Sequence, residues 1–214
     1  TINPLLVNGT KTITVRLTNN PSVASDGPCF VEGTIQFIVD AKPEAYAVTT
    51  NLTTCDDEIN NPLLQNGSYP FNTTTLQNEI LQGQTGMNVT YTLANGTVYT
   101  NGLPNPFNSG TQNVLVTVSN QINASCTATT VLHFVVKPLP NIDLNQDGND
   151  NEIVCNNLLN LSVTLNAGVV NILPSNYTYQ WFLNNAIING ATNYSLTVTA
   201  AGTYSVEVTT PLGC

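Results

Sequence analysis

Hydrophobic and polar residues alternate along most of this chain. Ile13, Val15 and Leu17 alternate with Thr12, Thr14, Arg16 and Thr18, and Leu159, Leu161, Val163 and Leu165 do the same in LNLSVTL. A period of two places successive side chains on opposite faces, so these stretches predict half-buried strands with one wet face, as in antiparallel sheets. Asn-Gly dipeptides starting at Asn8, Asn66, Asn95, Asn101 and Asn189 separate short runs rich in Val, Thr, Ile and Tyr. They predict tight turns between the strands. One stretch predicts a helix: TTTLQNEILQG, 73–83, has a Thr N-cap, an apolar Leu76/Ile80/Leu81 face and a closing Gly83.

The pattern also repeats on a longer scale. KTITVRLTNN (11–20) reads like QNVLVTVSNQ (112–121), and CFVEGTIQFIVDAKP (29–43) reads like CTATTVLHFVVKPLP (126–140). GTYSVEVTTPLGC (202–214) begins the same pattern again and reaches its cysteine. Self-similarity of this kind marks an array in which one structural unit is copied along a line. Prolines punctuate the copies, at Lys42-Pro43 and at Pro138-Leu139-Pro140. Proline stiffens such junctions and cannot continue a sheet ladder. The expected fold class is therefore all-β, with tandem immunoglobulin-like β-sandwich modules in an extended array. Residues 1–43 are expected to be the C-terminal half of a truncated module and 44–138 a complete one. Residues 139–214 are expected to be an immunoglobulin-like module lacking its last strand.

The immunoglobulin-like assignment rests on YTYQWFLNNAIINGATNYSLTVTAAGTYSVEVTTPLGC, 177–214. A Trp within a strand, a hairpin, a further strand and then Gly-x-Tyr opening the next follow that pattern. Trp181 takes the place of the core tryptophan and Tyr204 that of the corner tyrosine. Cys214 lies ten residues after Tyr204, whereas the usual second cysteine lies two after it, so its disulfide is not the usual pin between the sheets. Tyr177, Tyr179 and Trp181 share one strand face, which this register places in the core; an exposed row would instead suit sugar stacking.

Composition narrows the function. Charged residues make up only 8% of the chain and the net charge is -9, against about 25% charged in ordinary domains. Four Lys+Arg leave no basic patch for phosphate backbones or anionic lipid. No apolar run approaches the roughly 20 residues that span a bilayer as a helix. Neither nucleic-acid binding nor membrane insertion is expected.

The cysteines are Cys29, Cys55, Cys126, Cys155 and Cys214. Cys55 and Cys155 come early in their modules, and Cys29, Cys126 and Cys214 come late. Pairing within modules, Cys55 with Cys126 and Cys155 with Cys214, leaves Cys29 to a module whose early half is missing. Each such bridge would close a loop of about 70 residues and stabilise it by about 4 kcal/mol on chain-entropy grounds. The other arrangement, Cys29–Cys55 and Cys126–Cys155, clamps neighbouring modules across a linker and fits the count as well. Either implies an oxidising, extracytoplasmic setting.

The sharpest chemical motif is DLNQDGNDNE, 143–152. Asp143, Asn145 and Asp147 stand at positions 1, 3 and 5 of a Ca²⁺ loop and Gly148 at position 6, where alternate oxygens converge around a sharp turn. Position 12 is Val154 instead of an acid, while Asp150 and Glu152 come early. The segment reads as a Ca²⁺ site using Asp143, Asn145, Asp147, Asp150 and Glu152, or as a solvated acidic turn. Asp56-Asp57-Glu58 after Cys55 is a weaker echo, expected to be exposed. His133 in VLHFVV reads as a solvent-facing strand residue. With no nucleophile-base arrangement, carboxylate pair or phosphate loop, the chain is expected not to be an enzyme.

The segment from Thr73 to Pro140, TTTLQNEILQGQTGMNVTYTLANGTVYTNGLPNPFNSGTQNVLVTVSNQINASCTATTVLHFVVKPLP, resembles the tandem repeats of giant cell-surface adhesins of gliding Bacteroidota. Those are the SprB-like proteins exported by type IX secretion. Their repeat runs from a cysteine and an acidic turn through a GQTG segment, a VTY strand and an LP.P turn to a second cysteine and a PLP end. The match extends from Cys55 to Pro140, with the acidic turn degenerate, and the third module resembles immunoglobulin-like repeats of the same proteins. The resemblance implies an extracellular filament for gliding motility or surface attachment. Its partners would be further repeats of the same long chain, surface glycans or abiotic surfaces, and the secretion and motility machinery. Spacer or carbohydrate-binding modules of a secreted polysaccharide-degrading enzyme, and a self-assembling surface filament, are the alternatives.

Overall fold

A computed structural model describes residues 9–19, 29–143, 162–170 and 176–214. Among the described residues strands dominate and helix is almost absent, so the all-β class holds. The first pair, β1 (Gly9–Thr18) and β2 (Phe30–Val39), forms an antiparallel hairpin. Both of its faces are exposed almost throughout.

The middle part has two sheets. β3 (Thr53–Cys55), β5 (Met87–Thr92), β6 (Val98–Thr100), β8 (Gln112–Asn120) and β9 (Thr127–Lys137) form a five-stranded sheet in the order β3-β9-β8-β5-β6. β4 (Ser68–Phe71) and β7 (Phe107–Gly110) form a two-stranded ribbon, and α1 (Leu76–Leu81) lies between β4 and β5 in sequence. Alternation decides what is buried: Val114, Val116 and Val118 are fully enclosed, whereas Leu115 between them is 44% exposed. The inward rows of β8 and β9 pack with Val89 and Tyr91 of β5, Phe71 and Phe107 of the ribbon, and Leu76 and Ile80 of α1. Phe134 meets Phe71 and Phe107 edge-on at centroid distances of 4.9 and 5.3 Å, a favoured aromatic geometry. Tyr91 is buried deeply enough to push its phenol up to about 12.

The helix differs in detail from its sequence reading. It is shorter than 73–83, and Thr75 at its N-cap makes no capping bond. Its hydroxyl is taken instead by Glu79, to which Thr49, Thr50 and Thr75 all donate. Gln82, at φ 47°, takes the left-handed position that ends the helix, one residue before Gly83. β3 also departs from the antiparallel expectation, because it pairs parallel to β9 at the sheet edge. That pairing is reached through a long crossover rather than a hairpin.

Among the described residues the last part also has two small sheets. β11 (Thr178–Leu183) sits between β12 (Ala186–Ile187) and β14 (Tyr204–Thr209), while β10 (Val163–Asn166) pairs with β13 (Ser195–Val198). Asn184 and Asn185, at φ 48° and 66°, make the two-residue turn from β11 to β12, the positive-φ pair such hairpins require. Trp181, Tyr177 and Tyr179 are buried with Val208, Ala167 and Val169. The Trp181 indole donates to the Asn193 carbonyl at 2.9 Å. The Tyr204 hydroxyl donates to the Ala200 carbonyl at 3.0 Å. A Cβ on Gly202 would displace the end of the Leu183 side chain.

Candidate functional site: the junction between the second and third parts

Cys55 is the last residue of β3 and lies level with Lys137, the last of β9. Both therefore face the Pro138-Leu139-Pro140 linker. After β14 the chain makes a tight turn: Thr210 N–H donates to the Cys214 carbonyl at 2.6 Å, and Cys214 N–H donates to the Thr210 hydroxyl at 3.0 Å. Gly213 in that turn has φ 85°, a conformation that suits glycine. The turn brings Cys214 to Cys55, and the two form a disulfide across 159 residues.

Two polar clamps flank the bond. The Lys137 ammonium donates to the Leu212 carbonyl at 2.8 Å. Gln65 grips the linker from both ends of its amide. Its Nε2 donates to the Leu139 carbonyl at 3.2 Å and to Asn141 Oδ1 at 2.7 Å, and its Oε1 accepts from Leu139 N–H at 2.9 Å.

The acidic turn follows Cys55 directly. Asp56 is 1% exposed, contrary to the exposed echo expected from sequence. Asp56 Oδ2 accepts from Gly67 N–H at 2.6 Å and Oδ1 from Glu58 N–H at 3.3 Å. Burial pushes its carboxyl up, but the hydrogen bonds from Glu58 and from the surrounding backbone outweigh that and hold it below the usual range. Glu58 moves the other way: its hydrogen bond to Asp56, then burial and the Asp56 and Asp57 charges, raise it. Glu58 Oε2 is buried without a hydrogen-bond partner. Among the described residues, Asp56, Asp57 and Glu58 are the acidic group close enough to share a cation. Of the sequence-predicted loop, Asp143 is described, its N–H donating to the Gly168 carbonyl at 2.8 Å. Asn145, Asp147, Asp150 and Glu152 lie outside the described residues.

The disulfide overturns both predicted pairings. Cys126 is exposed with no disulfide partner among the described residues and precedes β9, whereas Cys55 is level with the far end of that eleven-residue strand. At about 3.3 Å per residue the two cysteines sit at opposite ends of the module, far beyond the roughly 7 Å Cα limit for a bridge. Cys155 lies outside the described residues, and its predicted partner Cys214 is engaged by Cys55. Cys29–Cys55 fails for the same reason, and Cys29 too has no disulfide partner among the described residues. The aromatic row Tyr177, Tyr179 and Trp181 is buried, which removes it as a sugar platform. His133 is exposed as expected and meets Asn113 across the ladder at 2.8 Å.

Sequence reasoning missed Gln65, Lys137 and Asp56 as junction residues. The available signal was positional: Asp56 adjoins the early cysteine and Lys137 the proline linker.

Residues 51–140 match the family model of the Flavobacterium inter-domain disulphide bond domain. No curated protein and no solved structure matches the chain. The matched segment contains Cys55 but ends well before Cys214, so the bond leaves the matched domain, in keeping with the family's description. A disulfide between domains is typical of extracellular proteins, and the match points to an extracellular, multidomain protein.

Proposed function

We propose that this chain is a structural segment of a filamentous bacterial surface adhesin, serving gliding motility or attachment and carrying no catalysis of its own. The observation that supports this best is the Cys55–Cys214 bond across a proline linker. A staple there resists bending and pulling between modules, which a stalk under load needs and a free-standing domain does not. Gln65 and Lys137 hold the same junction without covalent help. The repeated strand pattern fits an array whose neighbours are further units of the same chain. Surface glycans or abiotic surfaces would be met elsewhere along the filament, and secretion and motility machinery at its anchor. In this reading the Asp143–Glu152 segment takes Ca²⁺ and stiffens the junction further; melting that is the same with and without a chelator would remove that part.

Deleting the coding region in the source bacterium tests the adhesive role. Loss of colony spreading or of attachment to glass is expected. Unchanged spreading and attachment, with the protein confirmed absent, would overturn it. Solution scattering of the 214-residue chain tests the stalk: an elongated particle whose profile broadens on reduction is expected, and a compact globule indifferent to reductant contradicts it.

A further inference from the structure

The β1–β2 hairpin repeats β8–β9 rung for rung. Ile13 faces Ile35 as Val114 faces Leu132, Lys11 faces Phe37 as Gln112 faces Phe134, and Thr18 faces Phe30 as Ser119 faces Thr127. The bond that follows the ladder repeats as well. Asn19 N–H donates to the Cys29 carbonyl at 3.0 Å, Asn120 N–H to the Cys126 carbonyl at 3.1 Å and Thr210 N–H to the Cys214 carbonyl at 2.6 Å. Cys29, Cys126 and Cys214 thus hold one structural position, and at Cys214 that position is disulfide-bonded.

The junctions match too. At the second, Lys137 ends β9 and reaches the turn that carries Cys214, at the Leu212 carbonyl. At the first, Asp40 holds the place of Lys137 just past β2, and its carboxylate accepts from Asn120 Nδ2 at 2.9 Å. Asn120 holds the place of Thr210, at the start of the turn that carries Cys126. Cys126 therefore stands to Asp40 as Cys214 stands to Lys137. What the second junction has in addition is β3, parallel to β9, with Cys55 level with Lys137.

Among the described residues β2 has no strand on its edge away from β1, the edge that β3 occupies on β9. Ile13, Val15, Ile35 and Phe37 are 43%, 50%, 60% and 52% exposed, while their counterparts Val114, Val116, Leu132 and Phe134 are at most 1% exposed. Those counterparts are covered by the β4–β7 ribbon, α1 and β5, cover that the hairpin does not have among the described residues. Exposed apolar rows of this kind mark a surface built to be covered.

We propose that Cys126 is a half-cystine whose partner is the cysteine of a β3-type strand from the repeat unit on the N-terminal side in the same polypeptide. That strand lies parallel to β2 on the edge away from β1, with its cysteine level with Asp40. The early cysteine of each unit is then bonded to the turn cysteine of the next, so consecutive junctions carry the same staple. Cys29 continues the series one unit further on. The bond forms by thiol–disulfide exchange with an oxidised dithiol catalyst of the extracytoplasmic compartment. The partner thiolate first attacks the catalyst disulfide, giving a mixed disulfide. The Cys126 thiolate then attacks the partner sulfur, the new S–S bond forms, and the catalyst sulfur leaves with the electron pair. Two protein thiols are oxidised, the catalyst disulfide is reduced to a dithiol, and the two protons end on the catalyst.

This inference rests on the repeated registers and not on the adhesive reading; the bond would stand even if cells lacking the protein still glided. The test is disulfide mapping of the full-length polypeptide from cells, with thiols blocked by N-ethylmaleimide at harvest and digestion without reductant. The expected result is a Cys126 peptide joined to a cysteine N-terminal to Thr1 in the same chain, released by reduction, beside the Cys55–Cys214 pair. Cys126 carrying N-ethylmaleimide, or bonded to Cys29, to Cys155 or to Cys126 of a second copy, would overturn it.

Discussion

Cys55 and Cys214 are bonded across 159 residues of chain, and Cys55 shares a rung of the sheet with Lys137, whose ammonium holds the Leu212 carbonyl two residues before Cys214. One turn is thus fixed covalently and by a charged donor on neighbouring strands of another sheet. A loop of that length corresponds to about 5 kcal/mol of lost unfolded-chain entropy. The third part has the smaller core, Ala167, Val169, Tyr177, Tyr179, Trp181 and Val208, so it gains most from the bond. Cys214→Ser is expected to lower the melting temperature of that part and leave the middle part close to its original value. Scanning calorimetry should show a separate low-temperature transition, reproduced in the unaltered protein by reductant. A thermogram unchanged by both treatments would show that the bond does not support the fold.

Glu79 on α1 accepts from the Thr49 and Thr50 backbone N–H groups and from the Thr49, Thr50 and Thr75 hydroxyls. It ties the helix to the segment that leads into β3. These bonds, the Thr50 hydroxyl foremost, lower its carboxyl from 4.5 to about 2. A depressed carboxylate stabilises the fold above its unfolded pKa, and that contribution disappears as pH falls through the folded value. Between about pH 4.5 and 2 the protein should therefore lose stability that Glu79→Gln never had. The gap in melting temperature between the two should be widest near neutrality and close toward pH 2. Parallel curves over that range would mean that the carboxylate charge does not matter.

The strands were legible because alternation has a period of two, but burial of the named row was not: Ile13, Val15 and Leu17, expected to be half-buried, are 43%, 50% and 76% exposed, while Val114, Val116 and Val118 of the corresponding strand are enclosed. The burial of Trp181 was legible because its spacing from the hairpin is local. The disulfide was not. Its partners meet only because β3 pairs parallel to β9, and a parallel edge pairing reached through a long crossover leaves no local signature. Counting early and late cysteines grouped them by sequence position, whereas the fold puts Cys55 and Cys126 at opposite ends of one module. The burial of Asp56 was hidden for a similar reason, since the Gly67 N–H that binds it comes from eleven residues away. The helix cap was misread because Thr75 spends its hydroxyl on Glu79 instead of on the backbone.

Asn120 is 2% exposed and uses both ends of its amide. Nδ2 donates to Asp40 Oδ2 and the Ala41 carbonyl, and Oδ1 accepts from the Ile122 and Asn123 N–H groups. Asn120→Ala strands those groups and should cost about 2–3 kcal/mol, read as a lower urea midpoint. Asn120→Asp keeps the acceptor but sets a carboxylate against Asp40, whose own carboxyl is held low chiefly by the Asn120 bond. That variant should be weaker at pH 7 than at pH 4, where protonation relieves the repulsion. Equal urea midpoints for Asn120→Asp at the two pH values would show that Asp40 does not face this position in solution.

Trp181 is the sole tryptophan of the chain, and it lies 3% exposed in the core of the third part with its indole bonded to the Asn193 carbonyl. Its fluorescence therefore reports that part and no other. Trp181→Phe removes ring volume and leaves the Asn193 carbonyl without its donor, which together should cost about 2–3 kcal/mol. The loss should appear as an earlier unfolding step by circular dichroism, while the transition of the middle part stays in place. In the unaltered protein, reduction of Cys55–Cys214 should shift the Trp181 fluorescence midpoint to lower denaturant. The middle part is expected to hold its midpoint under the same treatment, because its own core does not draw on the bond. If reduction moved the middle part and left the fluorescence midpoint alone, the bond would be serving the wrong side of the junction for this account.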